Sequence, residues 1–528
     1  MRHRPFAAGR LPALLVLFAL VAVSCGGDGD TSTSTPGGGG ETEAEAAGEV
    51  DPDGNFVYAY PITVSRLDPH KASISQDGTT LFPAYDRLVH LSPEGDLIPG
   101  LAESWEFSED GLTLTMHLRE GVTFHDGATF NAEAAKMNLD RAKTIEGSSV
   151  ATDIASISSV TVVDEQTIDI VLSAPNVSII GGLADRAGIQ VSPRALTSGV
   201  NLDEQMVGAG PYRFMSHTPG SATQFERFDE YWGEPAQVKN FEIRVIADSV
   251  ARLNAFRQGE IDATTLSANQ VAEVDGQEGI NLTLNTELQY FYIVQNRSRA
   301  GQDDVRVRQA MVHAIDRQGI CDTILFGYCE LSDQPFPPGY FAYNDEIDDV
   351  LYDYDPEKAK ALLAEAGIES LDISFLIPAG LPTYPEMAEA IQAQWAEVGI
   401  NAKIQASEPT QLGQLMFAEK VADTMLATWG GRPDPSITFA QRGSSTGFAN
   451  PGGVTTPKME ELFNASRAEA DPEARAEILK EGSREMAESV LELVVMFPRV
   501  PYVTSDHVVG FTPYLTSKPE FRTVGVTE

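Results

Sequence analysis

The sequence predicts a mixed α/β protein of several domains. Three observations lead there. About 480 residues follow a low-complexity N-terminal stretch, enough for two or three packed cores. Period-two apolar runs alternate with helical ones along that length. A complete strand–helix–strand unit reads between Leu371 and Ile404, which implies parallel pairing with a right-handed crossover. No internal repeat is visible.

The chain opens on Arg2, Arg4 and Arg10, then an apolar run from Leu11 to Val23, then Ala22-Val23-Ser24-Cys25. A basic start, a short apolar core and small residues at a cut site read as a signal peptide over 1–24, too short and wrongly flanked for a spanning helix. The cysteine at the cut resembles a bacterial lipobox, in which that thiol receives lipid, although Ala22 stands where Leu is usual. A plain signal peptide with an incidental Cys25 is the alternative. Residues 25–50 carry almost no large apolar side chain and read as a flexible tether.

The elements of the body follow in order. Phe56 to Tyr60 is an opening strand. Trp105-Glu106-Phe107 and the alternating Leu112, Leu114, Met116 and Leu118 flank Asp110-Gly111, a hairpin turn signal. A second hairpin joins Val160–Val163 to Thr167–Leu172. Between them Asn131 caps a helix running through Ala134, Met137 and Leu139. Phe241, Ile243 and Val245 alternate as a strand, and Asp248 caps a helix that ends at Gly259. Asp303 opens a helix with Val307 and Met311 on one face. Asp355-Pro356 opens another that stops at Gly367. In the Leu371–Ile404 unit, Met387, Ile391, Trp395 and Val398 recur at helical spacing. A helix near Asp471-Pro472 and a strand near Val490–Phe497 close the series.

Composition narrows the function classes. Lysine plus arginine total 37 against 77 aspartate plus glutamate, a formal charge of −40. Such a field repels nucleic acid and anionic lipid, so no nucleic-acid partner is expected. It suits a cationic ligand or a salty habitat, or is merely a solvated surface. No later stretch is apolar for long enough to span a bilayer, which places the body outside the cytoplasmic membrane. Cys321 and Cys329 are the only cysteines of the body; in an oxidising compartment they pair across a short loop or stay as two buried thiols. Phosphate-loop and zinc-protease motifs are absent, and neither catalytic residue, cofactor nor metal is assigned. His125-Asp126 reads as a turn rather than a metal ligand, and Gly208-Ala209-Gly210-Pro211 as a tight turn.

Several motifs resemble the family 5 extracellular solute-binding proteins, which serve peptide, nickel and related ABC importers. They are Ser65-Arg66-Leu67-Asp68-Pro69-His70, Leu101-Ala102-Glu103-Ser104-Trp105-Glu106, and Leu118 to Gly127 with its Phe124-His125-Asp126-Gly127. Gly208 to Tyr212, Asp304 to Ala310 with Ala314-Ile315-Asp316-Arg317, and Asp355 to Gly367 follow in family order. The resemblance implies a type II periplasmic-binding-protein-like clamp of two α/β lobes with an extra inserted α+β domain. Carried onto this chain, lobe I comprises 51–88, 190–290 and 500–528, the inserted domain 89–189, and lobe II 291–499.

The same resemblance implies the function: an extracytoplasmic, monomeric receptor that captures a solute and delivers it to ABC permease and ATPase subunits. A secreted hydrolase or a sensor without transport is the alternative. The ligand would sit between the lobes. Ser73, Ile74 and Ser75 should pass the cleft; Tyr290 and Tyr292 lie where the chain crosses between lobes, with Tyr290 expected to face the ligand and packing in the hinge as the alternative for each. Trp429-Gly430-Gly431-Arg432 should form a wall. In peptide binders of the family, an aspartate three residues after the tryptophan pairs with the peptide ammonium. Here that place holds Arg432, and Asp434-Pro435 follows one residue early. A guanidinium favours a carboxylate or phosphate, so the ligand is expected to carry an anionic or oxygen-rich group. Arg432 turned to solvent or paired with Asp434 is the alternative.

Overall fold

The structure, a computed structural model, describes residues 48–528 apart from 300, 348–350 and 382. The predicted signal peptide, Cys25 and nearly all of the tether lie outside the described residues.

Alternating apolar side chains build the sheets. Asn55–Tyr60 buries Phe56 and Tyr58 and runs parallel to both Asn240–Val245 and Ala263–Thr265. The hairpin Tyr212–Thr218 and Ala222–Arg227 extends this sheet beyond Asn240–Val245. In the other half, Leu371–Pro378 is parallel to Ile400–Ser407 over eight residue pairs and also to Thr424–Trp429. Thr424–Trp429 then pairs antiparallel with Tyr290–Gln295. The helix Thr383–Glu397 bridges the parallel pair and buries Met387, Ile391 and Trp395. The Trp395 Nε1–H donates to the Met311 carbonyl at 2.9 Å, so this buried indole leaves no orphaned donor.

One strand belongs to both sheets. Leu493–Ser505 pairs with Tyr290–Gln295 at its start and with Ala263–Thr265 and Ile280–Thr286 towards its end. The sequence places this strand near Val490–Phe497, ahead of Pro498 and Pro501, which lack the amide a ladder needs. The structure continues it to Ser505. Pro498 lies opposite Cys329 and Pro501 opposite Leu284, and the Pro501 carbonyl still accepts from Leu266 N–H at 2.8 Å. At its other end, Val490 lies before the strand, with φ of +42°. Cys321 and Cys329 are joined by a disulfide with Cα atoms 6.1 Å apart, beside this junction.

A separate four-stranded antiparallel sheet lies between residues 102 and 172. Trp105 faces Met116 across the Asp110-Gly111 turn, and Val160 faces Ile170 in the second hairpin. Asn131 caps the helix Ala132–Thr144, accepting from Ala134 N–H at 3.0 Å. Ala134 and Leu139 are buried there, but Met137 is exposed, so the inward face excludes it. The chain leaves and rejoins the first half where Asp86–Arg87 pairs with Ile189–Gln190.

Two further expectations change. The helix Val305–His313 is capped by Asp304, which accepts from Arg306 N–H, whereas Asp303 accepts from Gly301 N–H. Gly208 to Pro211 is no tight turn. It lies against Pro83–Tyr85, with Gly210 N–H on the Ala84 carbonyl and Tyr212 N–H on the Pro83 carbonyl. A Cβ on Gly208 would fall 2.2 Å from the Ala84 oxygen, so close backbone approach explains the glycines. His125 completes this latch by bonding the Gly210 carbonyl at 2.9 Å. Asp68 and His70 make another: Arg141 of the inserted helix donates to both.

Glu287 sits in the segment between Ile280–Thr286 and Tyr290–Gln295. It is buried and accepts from Tyr502 Oη at 2.7 Å and Ser517 Oγ. Burial pushes its carboxyl up to about 7, only partly offset by these donors. The folded chain then holds a proton that the unfolded chain releases near 4.5, so this contribution to stability is full at acid pH and lost as pH rises through 7. Glu287→Gln should therefore gain melting temperature relative to wild type between about pH 5 and pH 8. An unchanged difference across that range, read by calorimetry, would refute the assignment.

Candidate functional site

A cavity of about 600 Å³ opens where the two halves face each other. The first half contributes Ser73, Ser75 and Gln76. The four-stranded domain and its neck supply Ser149, Thr152, Asp153 and Arg186, and Gln289 comes from the crossing segment. Opposite them stand Thr428, Trp429, Gly430 and Arg432, with Gln441 and Phe448 beyond. The volume is within the range of small-solute sites, but the lining is unusually polar.

Local chemistry holds the Ser73–Gln76 wall. Asp77 accepts from Ser65 N–H, Ser65 Oγ–H and Ile74 N–H, and the Ser65 hydroxyl accepts from Ser73 N–H. This ties the loop after Leu67-Asp68-Pro69-His70 into one shape. Ser73 and Ser75 line the cavity; Ile74 points elsewhere and is partly exposed.

The opposite wall ends the strand Thr424–Trp429. Trp429 lies in register with Tyr290, and its Nε1–H donates to Thr438 Oγ1 at 3.3 Å. The guanidinium carbons of Arg432 and Arg442 lie 5.1 and 4.9 Å from its ring centroid, within cation–π range. Gly430 lines the cavity with Gln76 Nε2 4.0 Å from where its Cβ would be. Gly431 has φ of +67°, and a Cβ there would strike Leu288 at 2.3 Å. It turns the chain against the crossing segment rather than lining the cavity.

Arg432 faces the cavity half-buried. Its Nε is enclosed and has no hydrogen-bond partner among the described residues. It does not pair with Asp434. That carboxylate is 2% exposed, accepts from Arg475 Nη2 at 2.8 Å and caps the helix Pro435–Thr438. The shortened spacing has therefore placed the aspartate outside this cavity. It borders a second, more apolar one of about 610 Å³ near Trp105, Phe107 and Ile180. The sequence reading missed Asp153. Burial pushes its carboxyl above the usual range, while Arg432 pulls it back. No motif marks it, because its neighbourhood arises only when the domain containing it docks.

Tyr290 does not line the cavity. It is fully buried, its hydroxyl donating to Glu492 Oε2 at 2.9 Å. Tyr292 is buried too, beneath Arg442, whose guanidinium carbon is 3.7 Å from the ring centroid. Arg442 in turn pairs with Glu492, both almost inaccessible. Among the described residues no group of three or more His, Cys, Asp or Glu side chains could hold a metal ion, and no helix is long and apolar enough to cross a membrane.

Two joined halves with a polar cavity between them define a solute-binding clamp, and the comparisons name its kind. The model of the bacterial extracellular solute-binding proteins, family 5 middle, matches residues 96–450. The dipeptide-binding protein of Escherichia coli (strain K12) is 31% identical over 484 residues, 84% of this chain and 89% of that protein. A glutathione-binding protein of Pectobacterium atrosepticum is 30% identical over 374 residues, 70% of this chain and 72% of that protein. The solved structure of HbpA2 from Haemophilus parasuis superposes with a TM-score of 0.79 at 26% identity, covering 90% of this chain and 100% of that one. The chain belongs to the family 5 extracellular solute-binding proteins, with that family's two-lobed fold.

The pair beneath the wall gives a stability test. Breaking a buried ion pair leaves an uncompensated charge, at a cost of roughly 3–5 kcal/mol. Arg442→Met should lower unfolding stability by about that amount, and adding Glu492→Gln should recover part of it. Denaturant titration of the three proteins checks this; a near-neutral single variant would show that Trp429 is supported otherwise.

Proposed function

We propose that this chain captures a polar solute bearing an anionic group and hands it to the permease and ATPase of an ABC importer. The observation that carries the reading is the half-buried Arg432, aimed into a cavity between two lobes with its Nε unpartnered among the described residues. A desolvated guanidinium gains most from a carboxylate or phosphate. The family supports capture rather than catalysis, since its members are binding proteins.

The lobes are assigned as 51–88, 190–290 and 500–528 for the first, 291–499 for the second, and 89–189 for the insertion. The change of pairing partner along Leu493–Ser505 supports this division. A solute that touches both lobes favours the closed form, and hinge motion admits it. The body works as a monomer, moored to the outer face of the membrane by lipid on Cys25. The small residues before that cysteine and the apolar-poor tether after it support this part.

Native mass spectrometry of the purified chain should reveal a co-purified solute that is released unchanged; a transformed product would favour a hydrolase. Arg432→Ala should weaken its binding roughly 10- to 150-fold, about 1.5–3 kcal/mol. Equal affinity by calorimetry would move Arg432 out of the site. Cys25→Ala should shift the protein from the membrane fraction to the soluble one. Retention of the variant in the membrane would rule out lipid at that residue as the sole anchor.

A further inference from the structure

We propose that Asp153 and Arg432 make the cavity selective for a zwitterion, Asp153 receiving a cationic amine and Arg432, with Arg186, receiving a carboxylate. This rests on the reading of the cavity as the solute site.

The cavity holds three charged side chains, Asp153, Arg186 and Arg432, among neutral amides, hydroxyls and rings. Two of them come from the domain inserted between Arg87 and Ile189 and one from the opposite lobe. The turn that carries Asp153 is tightly packed. Val150 and Ile154 are fully buried on either side of Asp153, and Asp153 N–H donates to the Val150 carbonyl at 3.0 Å. A Cβ on Gly182 would come within 3.3 Å of the Asp153 carbonyl oxygen, so the helix Ile179–Leu183 backs this turn closely. Packing therefore holds the carboxylate at the cavity.

None of the three is saturated. Among the described residues, the Asp153 carboxylate accepts no hydrogen bond and has no cationic nitrogen within 4.0 Å. Arg186 gives Nη1 to the Ala72 carbonyl, but its Nε is buried without a hydrogen-bond partner, 4.0 Å from Asp185. The Arg432 Nε is in the same condition. Asp153 and Arg432 face the same cavity from opposite sides without touching, which leaves room for a solute to bridge them.

Enclosure makes this arrangement discriminating. A solute that fills the cavity strips water from all three charges. A simple anion would satisfy the arginines but leave the Asp153 carboxylate dry and unpaired, and a simple cation would do the reverse. A molecule with an amine at one end and a carboxylate at the other satisfies both. Asp153 thus supplies a negative charge from the inserted domain, where the wall after Trp429 carries a positive one. The amine of the solute would then meet Asp153 of the insertion, and its acid would meet Arg432 of the second lobe with Arg186 of the insertion beside it.

The test uses the mature chain, its Asp153→Asn variant and Arg432→Ala. The probes are amino acids, N-carboxyalkyl amino acids, dipeptides and tripeptides, each as the free zwitterion, the N-acetyl form and the C-terminal amide. Thermal shift and calorimetry report binding, and circular dichroism confirms that the variants fold. N-acetylation should weaken binding to the wild type at least 10-fold and Asp153→Asn no further. Amidation should weaken the wild type similarly and Arg432→Ala no further. An N-acetyl probe that binds as well as its parent, or an Asp153→Asn variant with wild-type affinity, overturns the proposal while the solute-binding reading stands. If no probe binds, the composition of the co-purified solute decides: amine and acid together support the zwitterion, either alone overturns it. No bound solute of any kind overturns the solute-binding reading itself.

Discussion

The two halves of this molecule are held in register by one continuous strand. Leu493–Ser505 spans ~40 Å at strand rise and gives its first residues to one sheet and its last to the other. Beside it the chain crosses again through Glu287, Leu288 and Gln289. Relative movement of the lobes must pass through these neighbouring extended crossings. They sit directly behind the cavity: Gln289 lines it, and Leu288 lies so near Gly431 that no other residue fits there. Under the proposed reading, a solute pressing on the wall after Trp429 would therefore act next to the place where the sheets join. Hinge closure needs such proximity between contact and pivot.

The same crossing explains why so much charge is buried nearby. Arg442 and Glu492 form an inaccessible pair, with Tyr290 donating to the glutamate and Tyr292 lying under the arginine. Arg297 runs alongside, donating to the carbonyls of Val454, Leu491 and Arg442. Burial and the neighbouring arginines push the Arg297 guanidinium down to about 9. Apolar side chains would fill this volume at less desolvation cost. They could not place a cation on Trp429 or cap loop carbonyls from the side. The network makes the wall stiff, and under the proposed reading a stiff wall would let Arg432 meet a solute with little reorganisation.

Most of the fold could be read from local chemistry. Alternation at Leu371 to Ile377 and helical spacing at Met387, Ile391 and Trp395 described a buried parallel unit because each side chain's direction follows from backbone period alone. Caps at Asn131, Asp248 and Asp355 were legible because a short polar side chain satisfies orphan amides within its own turn. Cap reading failed by one residue at Asp303 and Asp304, where either carboxylate has an amide within reach. Gly208 and Gly210 misled because a glycine required by contact looks identical to one required by a turn.

The sequence by itself determined the order of strands and helices and the family motifs, and the resemblance those motifs carry assigned Ser73, Ile74, Ser75, Tyr290, Trp429, Gly430, Gly431 and Arg432 to one cleft. Only the tertiary structure decided that Tyr290 is buried, that Asp434 serves Arg475, that the last long strand runs through two prolines, and that Asp153 joins the cavity. Pairing across sheets and docking of an inserted domain depend on contacts between residues hundreds of positions apart. No local pattern records them, whereas backbone period and capping act within a few residues and leave their mark directly in the chain.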